Sequence, residues 1–395
     1  CTIDCEDAAR GMVFDDGEGA GTRVVGVTIA NGAAPGGAFP GNTGGGVYMV
    51  GASPTFEDCD FVGNFAGFGG AVFCDNSSPR FVRCDFGRPK GGNQAGTSGA
   101  GAYFFAGSAP ELEECRFIEN AAQFGGGVLN DAASPLFNVC EFARNSATEF
   151  GGGMESINGS APTLIECLFQ GNEAFFGGAM CTAESRATVV RCLFGDPLTQ
   201  DPGNNASGRG GAVYNFELAA APPGHVDYLE CLFRGNEAPF GGAANNEASD
   251  TVYEGCVFGD EKDPALGNIA EYGAAMFSFR ISRPVVRDCL FMDGQADRGG
   301  AIFNFGGVTT LIESCTFVRN AAGFGGAMFN LGANVEVRDC AFGDPTSDLL
   351  ANTASASGGA IANEGSAPLI VGCTIARNSA GNLGGGVFSS ESAAR

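Results

Sequence analysis

The stretch Cys59-Asp60-Phe61-Val62-Gly63-Asn64, with Gly69-Gly70-Ala71-Val72 shortly after it, returns in variant form to the end of the chain. Its cysteine recurs as Cys84, Cys115, Cys140, Cys167, Cys192, Cys231, Cys256, Cys289, Cys315, Cys340 and Cys373, and the commonest step is that from Cys59 to Cys84, 25 residues. Two residues after each cysteine stands a phenylalanine, from Phe61 to Phe342, until Ile375 closes the series. Three residues before each stands another apolar side chain, from Phe56 to Ile370. A fixed period of this size across most of a chain is the mark of a solenoid.

Cysteine and phenylalanine two apart is strand alternation, with every second side chain pointing inward. The three-and-four spacing of an amphipathic helix is sustained nowhere, and glycine punctuation would break a helix of useful length. Three short strands and three corners at about 3.3 Å per strand residue account for roughly 25 residues. The second repeat reads as a strand over Pro79 to Phe81, a corner at Val82 and Arg83, and a strand over Cys84 to Phe86. After Cys115, an Asn-x-Ala corner leads to a third strand, Gly125 to Asn130. The expectation is an all-β, right-handed, single-stranded parallel β-helix of about 13 rungs, the hand following from parallel crossovers. It would be one domain over residues 1–395, with less regular rungs over 1–58, regular rungs over 59–388 and a tail over 389–395.

In the first part Val24, Val27 and Ile29 fit the apolar, cysteine and phenylalanine places, and Cys1-Thr2-Ile3 reads as an earlier rung entered halfway. Asn64, Asn120, Asn145, Asn172, Asn236, Asn320 and Asn378 read as a stacked ladder that bonds the corners. A second polar ladder runs through Asn130, Asn215, Asn304, Asn330 and Asn363, with Cys74 in that place in its own repeat. Insertions follow Phe86, Phe194, Phe258 and Phe342 at one shared corner, the longest being Asp196 to Gly208. They read as solvated loops.

The F-x-x-N pattern (Phe61 to Asn64, Phe117 to Asn120, Phe317 to Asn320) paired with G-G-A-[ILV] (Gly69 to Val72, Gly210 to Val213, Gly299 to Ile302, Gly358 to Ile361) resembles the repeats of chlamydial polymorphic outer membrane proteins. It is also similar to the broader pectin-lyase-like class of β-helix proteins on bacterial surfaces. Gly99 to Ala102, Gly273 to Met276 and Gly294 depart from the pattern. The resemblance implies a surface protein; the membrane barrel of the chlamydial proteins has no counterpart in this sequence.

A net charge of -24 argues against nucleic acid, whose phosphates need a basic face. It suits solubility, exposure to salt, or divalent cations such as Ca2+ bound between chains. Of 16 cysteines, twelve share the inward slot and read as a reduced, inert ladder. Cys1, Cys5, Cys74 and Cys181 read as off the ladder and more apt to pair. With one histidine, His225, and no C-x-x-C, zinc and iron-sulfur sites lack ligands. No catalytic, cofactor-binding or metal residues are assigned. No apolar stretch is long enough to span a membrane, and no signal peptide is seen.

The function expected is a non-enzymatic extracellular structural or adhesive element, associating end to end into a filament if the coil ends are open. One alternative is a polysaccharide lyase or glycoside hydrolase of the pectin-lyase-like class, for which Asp58, Asp60, Asp85, Asp288 and Asp339 are the carboxylates near one edge. Another is a glycan-binding adhesin or autotransporter passenger, with Phe65, Phe68, Phe105, Phe175, Phe176 and Tyr272 as contact residues. Asn76, Asn158 and Asn205 match the glycosylation pattern.

Overall fold

The computed structural model describes residues 1–196, 203–217 and 225–391. One rung shows how the repeat folds. Arg80–Val82 is a leading strand, Asp85–Phe86 a cysteine strand, Gln94–Ser98 an asparagine strand and Ala102–Phe105 a glycine strand. Each pairs in parallel with its counterparts one rung away, so that like stacks on like. Phe81 lies between Phe56 and Leu112, and Phe86 between Phe61 and Phe117. This is the parallel β-helix that the period demands.

Two compact units divide the chain, Cys1–Cys192 and Leu193–Arg395. The first contains seven leading, seven cysteine, seven glycine and six asparagine strands. The second contains seven cysteine, seven glycine and six leading strands among the described residues. Three sheets thus run as the repeat predicts. The Asn-x-Ala segment, expected as a bare corner, adds a fourth strand such as Phe65–Phe68 or Ala121–Phe124. Its polar and small side chains hid it, because strand propensity comes from β-branched and aromatic residues. The third strand of the rung after Cys115 begins later than expected, at Val128.

Residues 1–58 are more regular than their sequence suggests. Thr2–Asp4 pairs with Thr28–Ala30, placing Ile3 opposite Ile29, which itself faces Phe61. Cys1 therefore occupies the ladder position of the first rung, two before Ile3, and the reading that set it apart is corrected. Val27 fills that position in the next rung, its carbonyl accepting from Asp60 N–H as that of Cys1 accepts from Thr28. All sixteen cysteines are free thiols. Each ladder thiol has one S–H to donate and two carbonyls within reach, one two residues back and one on the neighbouring leading strand, as Cys115 has Glu113 and Phe81 at 3.4 and 3.5 Å. Burial pushes the Cys140 and Cys256 thiols well above their ordinary range, which keeps them protonated.

The core is a set of stacked columns. In the first unit Phe61, Phe86, Phe117, Phe142 and Phe169 lie ring on ring at centroid spacings of 4.4 to 4.9 Å. Each fully buried ring removes enough apolar area to contribute about 2–3 kcal/mol. Beside them Asn64, Asn93, Asn120, Asn145 and Asn172 form an unbroken amide ladder, each Nδ2 donating to the next Oδ1 at 2.9 to 3.0 Å. The same Oδ1 accepts the previous asparagine's backbone N–H, so these buried groups are paired. In the second unit the ladder is Asn204, Asn236 and Asn268, a break at Gly294, then Asn320, Asn352 and Asn378. Asn93, Asn204, Asn268 and Asn352 lie beyond the insertions, where the period no longer marks them.

Corners are left-handed and mostly not glycine. The residue before each cysteine has φ near 50°, as in Asp58, Arg83, Glu114, Val139, Glu166 and Arg191. Charged side chains there reach across rungs: Arg83 binds Asp58 at 2.7 Å and Arg191 binds Glu166 at 3.0 Å. At the corner before the glycine strand, Gly69 has φ 63° and a Cβ would stand 2.4 Å from Val72 O, so that place requires glycine. The insertions leave between cysteine and asparagine strands as expected, with short 3-10 turns at Pro264–Leu266 and Asp348–Leu350. The longest ends sooner, because Asn205–Arg209 is already strand, and its residues 197–202 lie outside the described residues. So does the end of the tail, 392–395.

Candidate functional site

Alternation puts the first and third residues of each glycine strand inside and the second and fourth outside. The inner third position is the expected second polar ladder. In the second unit it runs Asn215, Asn246, Ser278, Asn304, Asn330 and Asn363. Cys74 holds that position in the first unit, in register with Phe104 and then Asn130. Tyr228 and Tyr253 reach it from leading strands, their hydroxyls donating at 3.1 Å to Asn215 and Asn246.

The outer columns are the least ordinary surface of the molecule. In the first unit the second position reads Tyr48, Phe73, Tyr103, Leu129, Glu155 and Cys181. Phe73, Tyr103 and Leu129 are buried, though outward, because Phe68, Phe105 and Phe124 pack over them. Phe39, on the loop before the second glycine strand, adds edge contacts to Phe73 and Phe105 at 5.8 and 6.1 Å. Glu155 interrupts this apolar column. It is 5% exposed, and its Oε2 meets no hydrogen-bond partner. Burial, with the charges of Glu149 and Asp131 nearby, pushes its carboxyl up to about 8. At neutral pH it is a protonated acid.

In the second unit the corresponding column is Tyr214, Asn245, Phe277, Phe303, Phe329, Ala362 and Phe388. The buried glutamate here is Glu247, two positions later on its strand and so on the same outer face. It binds Arg209 at 3.0 Å, and also Arg280 and the Tyr214 hydroxyl. Arg209 lies over the rings of Phe279 and Phe240, at 4.5 and 5.6 Å. Glu247 thus has two arginines beside it, whereas Glu155 has none and holds its proton.

The carboxylates named for a lyase are placed apart or occupied. Asp58 pairs with Arg83, Asp85 forms a two-point bond with Arg116, and Asp60 accepts from Thr28 at 3.0 Å. Only Asp60 and Asp85 are brought together, as register neighbours on adjacent cysteine strands. Asp288 and Asp339 sit at corners of the second unit, φ 51° and 52°. Among the described residues no three histidine, cysteine, aspartate or glutamate side chains are placed to hold a metal ion. Nor is any helix among them long and apolar enough to cross a membrane.

The named aromatics divide three ways. Phe65 and Phe175 point outward from asparagine strands and are exposed; Phe68, Phe176 and Tyr272 end such strands or their equivalents; Phe105 ends a glycine strand. Phe65 borders a cavity of about 440 Å³ with Gln94, Gln123 and Thr148. Glu155, Glu247 and Arg298 were not singled out by sequence reasoning. The available signal was a charged residue at a column position that neighbouring rungs fill with tyrosine, phenylalanine or leucine.

Residues 11–194 match the family model for a right handed beta helix region. Among solved structures the chain is similar to one titled Geobacillus virus E2 - ORF18, at 10% identity and a TM-score of 0.24, over 89% of this chain and 54% of that one. It thus spans about half of that structure's length. No curated protein matches. The parallel sheets and the match over residues 11–194 agree on the fold, a right-handed parallel β-helix.

Proposed function

We propose that this chain is a non-enzymatic structural or adhesive β-helix working outside the cell. The observation that supports this is where its charges go. Arginines on one rung bind carboxylates on the next: Arg83 to Asp58, Arg144 to Glu119 and Arg191 to Glu166 in the first unit, and Arg283 to Asp250 and Arg319 to Asp293 in the second. Exposed pairs contribute little singly, about 0–1 kcal/mol. Their effect is to hold register along the stack, and two of the carboxylates named for a lyase, Asp58 and Asp85, are taken up in such pairs, with Arg83 and Arg116. The test is incubation with acidic and neutral polysaccharides, with and without Ca2+, following new reducing ends and unsaturated products. Intact polymer throughout is expected; sustained product release would overturn the reading. Glycan binding is a second reading, favoured by the cavity of about 440 Å³ beside Phe65, where Gln94 and Gln123 offer amides.

A further inference from the structure

In the second unit one column at the end of the asparagine segments reads Arg209, Phe240, Tyr272, Arg298 and Phe324. Arg209 is neutralised by Glu247. Arg298 is not. Its guanidinium lies over Phe329 and Phe324, at 5.4 and 5.8 Å, and among the described residues it binds no carboxylate and donates no hydrogen bond. Arg88 and Arg186 share that lack but stand exposed outside the strands. Arg298 is half-buried on an apolar shelf. Its register neighbour Tyr272 stacks on Phe240 and Phe303, at 5.2 and 5.5 Å, and its hydroxyl has no partner among the described residues.

The chemistry of this shelf favours an anion. Tyr272 and Phe240 turn their faces to each other, so their edges, which carry the positive side of the ring quadrupole, are left for a ligand. A guanidinium fork takes a carboxylate in two parallel hydrogen bonds. Phe305 and Phe324, 44% and 37% exposed, supply an apolar rim. A matching segment exists in the chain itself: Val13 is 49% exposed, and Asp15 and Asp16 are exposed with no ion pair.

We propose that the Arg298–Tyr272 shelf docks the Val13–Asp16 segment of a second copy of this chain, the carboxylates on Arg298 and the Val13 side chain on the aromatic rim. This names a partner for the structural reading above. Like charge repels the copies at low salt, whereas high salt screens the docking pair, so association is strongest at intermediate salt. Sedimentation velocity of the full chain tests it. Association beyond the monomer at tens of micromolar or below is expected, to dimers and larger species since the contact is heterologous, weakened about tenfold or more by Arg298→Glu, or by Asp15→Arg with Asp16→Arg, and restored when these variants are mixed. The aspartates are exposed, so their substitution reads docking even if the Arg298 variant folds poorly. A monomer at all salts, variants that sediment as wild type, or no rescue on mixing would overturn the proposal. A monomeric chain that leaves polysaccharide intact would do so without touching the structural reading.

Discussion

Glu155 and Glu247 are the same residue type buried on the same outer face of a glycine strand, one in each unit, and they reach opposite solutions. Around Glu247, Arg209, Arg280 and the Tyr214 hydroxyl converge on the carboxyl group. Glu155 has only Leu129 and Cys181 beside it in register, with Glu149 and Asp131 as further negative charges, and so it holds its proton. Two acids buried alike on this scaffold thus meet opposite surroundings, and the neighbours one rung away set the difference.

The largest effect expected from breaking this comparison is at Glu155. Its folded carboxyl titrates at about 8 against 4.5 for the ordinary group, so between those values the folded chain holds a proton that the unfolded chain releases. Stability is therefore fully present below about pH 4.5, falls as pH rises, and levels off above about 8. At roughly 1.4 kcal/mol per unit the loss reaches at most about 5 kcal/mol. Glu155→Gln should remove that slope and raise the urea midpoint at pH 9. An unchanged slope in the variant would show that another group causes it.

Next in size is Glu247→Gln, which leaves Arg209 and Arg280 without their counter-charge. A loss of about 3 kcal/mol is expected by urea denaturation, since the hydrogen bonds of the buried group to Arg209, Arg280 and Tyr214 lose their charge. Little change would mean that the arginines relax into solvent. The smallest effect concerns the broken ladder. The repeat asks for asparagine at Gly294, but a Cβ there would stand 2.1 Å from Gly300 O. Gly294→Asn should thus lower stability by about 1–3 kcal/mol, as overpacking does. A rise would show that the second unit can close its ladder after all.

The sequence made the stack legible wherever one residue type repeats at one slot, as with Cys84, Phe86 and Phe81. It was silent where an insertion shifts the count: Asn93 and Asn352 complete the amide ladder yet stand at spacings that no period marks. The fourth strand was hidden for another reason. Segments such as Gln94–Ser98 carry little strand propensity and are held by register with their neighbours. The candidate surface was legible only in part. Tyr272 was visible as an aromatic, but Arg298 gains its meaning from lying half-buried over Phe324 and Phe329 without a carboxylate bound among the described residues, which only the assembled rungs reveal.

The thiol column has one more consequence. Since nearly every rung contributes one buried cysteine while Cys1 is exposed and Cys373 half-exposed, the stack carries its own tally of opening. Pulse alkylation followed by peptide mass spectrometry would record, cysteine by cysteine, the order in which rungs let solvent in, and so turn a passive filler of the core into a clock for unravelling.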